Sequence, residues 1–171
     1  SDPRSSGGDR REFSCYNCGP FEMPGSAEGV LAKQGFSRSE RAKVAFGIRR
    51  SGGVVTTHAI EAFITNLNLP DAGTLLDNLL LHISHELDAP GEPLDLWAPA
   101  MRASVGALTS AGVQWAIEQA VHAKLVQGIP GKSMAGPDEF RLLAATLTLA
   151  GWARVAELLR SANGSRKAFM A

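Results

Sequence analysis

"PDEFRLLAATLTLAGWARVAELLRSA", residues 137 to 162, is the stretch on which the fold turns. Pro137 suits a first helical turn, where no N–H is needed, and Asp138 and Glu139 suit the positive end of a helix. From there to about Ala162 the chain reads as one helix without a polar face. Phe140, Leu143, Leu147 and Leu158 fall on one side, Leu142 and Leu149 opposite, and Trp152 and Leu159 between. Such a helix must be central to a bundle or covered by a partner, and a homo-oligomer is expected, with Leu142, Leu149 and Trp152 contributing to its interface.

The segments before it read the same way. Leu94, Trp97, Met101, Val105 and Leu108 recur at helical spacing, and Val113, Ile117, Ala120, Val121 and Leu125 repeat the pattern after Ser110. "QGIPGKSMAGP" then reads as a connecting loop. Earlier, Leu76, Leu79, Leu80, Ile83 and Leu87 mark a helix over about 71–87, and Ile60, Phe63, Ile64 and Leu67 another over about 55–67. Ser37 with Glu40 three residues on has the form of a capping box; Val44, Ala45 and Ile48 give that helix its apolar row, and "SGG" at 51–53 ends it. The expectation is an all-α protein. A helical bundle of five to seven helices spans 36–162, after a polar segment 1–35 with a cysteine pair and a short helix, and before a tail at 163–171.

The chain has 171 residues, 44% of them hydrophobic, enough for a core without staples. No stretch reaches the roughly 20 apolar residues of a membrane span. The opening "SDPRSSGGDRRE" lacks the apolar centre of a signal peptide, so an intracellular protein with no membrane association is expected.

Formal charge is zero but unevenly spread. Lys33, Arg38, Arg41, Lys43, Arg49 and Arg50 stand against one acid, Glu40, between residues 33 and 53, whereas ten acids face three bases between 54 and 139. Lysine and arginine bind a phosphate backbone by releasing its counterions, without reading sequence. The glycines and hydroxyls of "SGGVVTTH" permit close approach, and Phe36 or Phe46 is available to stack on an unpaired base. These six residues are therefore the candidate nucleic-acid contacts. RNA or single strands are expected, because no helix-turn-helix signature points to duplex readout. The alternative is a self-assembling structural or adaptor protein in which basic and acidic surfaces join neighbouring chains.

"CYNCG", residues 15 to 19, resembles the opening of a retroviral-type zinc knuckle and one half of a zinc ribbon. The resemblance implies zinc held on a tight backbone turn, but the following "PFEMPGSAEGV" supplies neither a histidine nor a third cysteine. A structural site needs four ligands. "HISH" offers His82 and His85 on one helical face, so the expected zinc ligands are Cys15, Cys18, His82 and His85, or else two chains each contribute their cysteine pair. Redox use of the pair lacks βαβ surroundings.

Two further motifs carry less. "GIPGKS" has Val126 where a phosphate-binding P-loop needs its first glycine. His58 with Glu61, His85 with Glu86, and Glu118 with His122 resemble elements of bundle metal sites, which makes a metal-dependent enzyme a third reading. No nucleophile turn is present, and binding rather than catalysis is expected. "NGS" at 163–165 fits a helix end as well as it fits a glycosylation acceptor.

Overall fold

The structure is a computed structural model that describes residues 4–6, 10–33, 35–131 and 140–168, without the side chains of 4–6, 33 and 163–168. In chain order the elements are β1 (Arg4–Ser6), β2 (Arg10–Cys15), β3 (Gly19–Pro24), α1 (Gly25–Lys33), α2 (Arg38–Ser51), α3 (Thr57–Asn66), α4 (Ala72–Glu86), β4 (Leu94–Trp97), α5 (Ala98–Val105), α6 (Ser110–His122), β5 (Val126–Gly131), β6 (Arg141–Leu147) and α7 (Leu149–Ala168). The all-α helical bundle is thereby corrected to a mixed α/β fold with two three-stranded antiparallel sheets, ordered β1-β2-β3 and β4-β6-β5. The expected helix start at Pro137 to Glu139 lies outside the described residues.

The chain divides into two compact units, Ser1–Pro70 with Pro99–Thr109, and Asp71–Ala98 with Ser110–Ala171. In the first, β2 and β3 form a hairpin in which Cys15 pairs with Gly19 and Phe13 with Phe21. Those two phenyl rings stack with centroids 5.4 Å apart. The segment after α2 runs beside β3: Glu22 N–H donates to the Gly53 carbonyl, and Val55 N–H to the Glu22 carbonyl. This seats Val55 in a core with Met23, Ala27, Val44, Ile48 and Ile60. The capping box opens α2 as expected, with Glu40 N–H donating to Ser37 Oγ and Ser37 N–H to Glu40 Oε2.

In the second unit, α4 starts after Asp71, whose Oδ1 accepts the Thr74 N–H at 2.8 Å. Leu79, Leu80 and Ile83 of α4, Val113 and Ile117 of α6, and Leu96, Val126 and Leu142 of the sheet are all buried. The decisive segment splits in two. Residues 141–147 are the central strand, and the helix begins only after Thr148, whose Oγ1 accepts the Gly151 N–H in the manner of an N-cap. Ala144 and Ala145 together oppose Gly128, a β-bulge in which Ala144 adopts φ 47° and donates its N–H to Asp95 Oδ1 at 3.0 Å. Leu142 and Leu147 are five apart and would face opposite sides of a regular strand. The extra residue returns both to the buried face, and Leu143 and Ala144 stay exposed. Pro130 is tolerated because β5 is an edge strand.

This assignment separates two leucines that one helix would have placed on the same side. Leu142 is 2% exposed and Leu149 88%. Leu142→Ala is expected to cost about 2–5 kcal/mol in chemical denaturation, as buried leucines do, whereas Leu149→Glu leaves the unfolding midpoint unchanged. Equal losses at both positions would contradict the strand.

Candidate anion-binding site

The basic residues of α2 do not share one task. Lys43 donates through Nζ to the Ile64 carbonyl at 3.0 Å, tying α2 to the end of α3. Arg50 lies over the Phe46 ring, its guanidinium carbon 5.3 Å from the centroid. Arg49 packs against the hairpin tip. Gly19 there has φ 83°, and a β-carbon on it would come within 2.7 Å of Arg49 Nη1. The positive backbone angle favours glycine at 19, and a side chain there would also have to displace the Arg49 guanidinium. Lys33 ends α1, and its side chain is outside the described residues.

Arg38 and Arg41 point elsewhere. With Ala42 and Ala45 they occupy one face of α2, at positions i, i+3, i+4 and i+7, and all four line a cavity of about 200 Å³ in the first unit. Its other walls are Asn17 from the turn between β2 and β3, Arg102 and Ala103 from α5, and Ala107 and Leu108 after it. Three arginines and four alanines thus line one cavity, and none of its described lining residues is an acid. Asn17 is the buried polar residue of the cavity, 9% exposed, and its Oδ1 accepts the Ala103 N–H at 2.9 Å. That bond fixes the amide at the cavity wall. Arg102 Nε is buried and has no hydrogen-bond partner among the described residues. Sequence reasoning missed Arg102 and Asn17: a lone arginine on an apolar helix and an asparagine between cysteines carry no signal until the fold joins them.

The thiols form a tight turn. Cys18 N–H donates to Cys15 Sγ at 3.3 Å. Burial opposes ionisation of Cys15, but hydrogen bonds from Cys18 and from the Asn17 backbone outweigh it, and the Cys15 pKa is lowered. Burial pushes Cys18 up to about 12, with Cys15 adding to the rise and the positive charges of Arg102 and Arg49 offsetting part of it. His82 and His85 sit on α4 in the second unit, His82 half-buried 3.7 Å from Glu86 and His85 exposed. Cys15 and Cys18 belong to the first unit and His82 and His85 to the second, and among the described residues no three His, Cys, Asp or Glu side chains gather to hold a metal ion. No described helix is long and apolar enough to cross a membrane.

The two thiols should differ in reactivity. A thiolate, not a thiol, is the nucleophile, so iodoacetamide near pH 8 is expected to label Cys15 well before Cys18, as read by peptide mass spectrometry. Equal rates, or Cys18 first, would contradict the hydrogen-bonded turn. Compared with known proteins, the chain matches no family model, no curated protein and no solved structure.

Proposed function

We propose that the first unit binds single-stranded nucleic acid, RNA or DNA, through the arginine-lined cavity and the hairpin tip beside it. The observation that carries this reading is that Arg38, Arg41 and Arg102 line one cavity with no carboxylate among its described lining residues. Guanidinium groups bind phosphate oxygens with two parallel hydrogen bonds, and they do so whatever base the phosphate carries. Tyr16 adds a stacking surface: it follows Cys15 at the tip and is 63% exposed. The unit as a whole has ten lysines and arginines against seven acids. Such a role belongs inside the cell.

Duplex readout is less well supported. In chain order, α4, β4, α5, α6, β5 and β6 follow the succession of a winged helix-turn-helix, with α6 in the place of the helix that enters a major groove. But α6 reads "SAGVQWAIEQAVH" and has no lysine or arginine to meet phosphates. Its exposed residues include Trp115, Glu118 and Val121. Val121 and Leu149 also line a shallow cleft of about 500 Å³ in the second unit. These exposed apolar side chains favour a second reading, contact with another chain, for that unit.

One experiment weighs the two. Fluorescence anisotropy with a labelled 20-nucleotide single strand is expected to show affinity falling at least tenfold in Arg38→Ala/Arg41→Ala/Arg102→Ala, with a salt slope shallower by about 0.7 for each phosphate no longer neutralised. Lys43→Ala and Arg50→Ala should lower stability by roughly 1 kcal/mol each while leaving affinity within twofold. No binding by the unmodified protein, or equal weakening in all variants, would overturn the proposal. If light scattering then gave an oligomer that Leu149→Glu dissolves, the second reading would replace it.

A further inference from the structure

Charge balance within the cavity specifies its ligand further. An internal phosphodiester carries one negative charge, whereas a phosphomonoester carries about −1.5 to −2 at neutral pH and presents three strong acceptor oxygens. Arg38, Arg41 and Arg102 supply three fixed positive charges, and none of the described lining residues is acidic. Among the described lining residues the polar side chains are the three arginines and Asn17, whose Oδ1 already accepts the Ala103 N–H. A single diester would leave most of these charges uncompensated. Ala42, Ala45, Ala103 and Ala107 keep the walls short, and Leu108, 42% exposed, gives the lining an apolar side chain.

We propose that this cavity is a phosphomonoester site, taking the terminal phosphate of a strand, with nucleoside monophosphate as the same chemistry in free form. The inference rests on the single-strand reading of the same site and goes beyond it by distinguishing an end from an interior. Arg102 anchors the dianion from α5, Arg38 and Arg41 close on it from α2, and Asn17 donates from the hairpin turn.

The test uses the whole chain and one 12-nucleotide sequence in three forms, with a 5′-phosphate, with a 3′-phosphate, and with hydroxyls at both ends. One phosphorylated form is expected to bind at least tenfold more tightly than the hydroxyl form, and Arg102→Gln should abolish that difference. Arg38→Gln, an exposed residue whose change leaves the fold intact, should reduce it. The advantage should also shrink between pH 7.5 and pH 5, because the second phosphate proton returns near pH 6 while arginine stays charged. Equal binding of all three forms would overturn the monoester site and leave strand binding standing. No binding of any form, with none of nucleoside monophosphate, would overturn both. Nucleoside monophosphate binding as tightly as the phosphorylated strand, abolished in Arg102→Gln, would support the monoester site and overturn strand binding.

Discussion

The packing of Val44 and Ile48 into the core of the first unit is the constraint from which the rest of that unit's surface follows. A helix has one rotational freedom about its axis, and burying those two residues against Met23, Ala27, Val55 and Ile60 removes it. Each further residue then turns by about 100°. Arg38, Arg41, Ala42 and Ala45 come to face the cavity, Lys43 reaches the Ile64 carbonyl, and Arg49 meets the hairpin tip. The capping box at Ser37 fixes where the helix starts, and so places Arg38 at the mouth of this face rather than in a loop.

The same rotation explains how one run of positive charge serves two ends. Lys43 and Arg50 are engaged by a carbonyl and a ring within the unit, contacts that stabilise the fold. Arg38 and Arg41 face small residues instead. Alanines at 42, 45, 103 and 107 leave space in front of the guanidinium groups, where larger side chains would fill the cavity. Asn17 links this space to the cysteine turn, since it lies between Cys15 and Cys18 and bonds to α5 through Ala103. Charge from Arg102 and Arg49 is felt at Cys18, so the thiol turn and the arginine site share one electrostatic environment.

How much of this was legible in the sequence depends on the range of the interactions. The capping box, the helix of Leu79, Leu80 and Ile83 and the stop at "SGG" are local, and the structure has them where the pattern puts them. The strands were not legible. "RLLAATL" is built of residues that favour helices, and its bulge at Ala144 breaks the alternation that would have marked it, placing Leu142 and Leu147 on one face despite an odd spacing. Only pairing with β5 just before it and with β4, more than forty residues away, makes it a strand. The candidate site was half legible for the same reason. Arg38 and Arg41 stood out within a basic helix, whereas Arg102 lies 61 positions beyond Arg41 and is brought to it by the fold.

The central claim is that α2 assigns Arg38 and Arg41, with Arg102, to a ligand and Lys43 and Arg50 to the fold. Nitrogen-15 NMR of the arginine Nε–H groups tests it most directly, during titration with a 5′-phosphorylated dinucleotide at 0.15 M salt. The account predicts saturable shifts for Arg38, Arg41 and Arg102, with the Arg50 signal unmoved. Uniform, unsaturated shifts across all arginines, or a shift at Arg50 with none at Arg102, would contradict it.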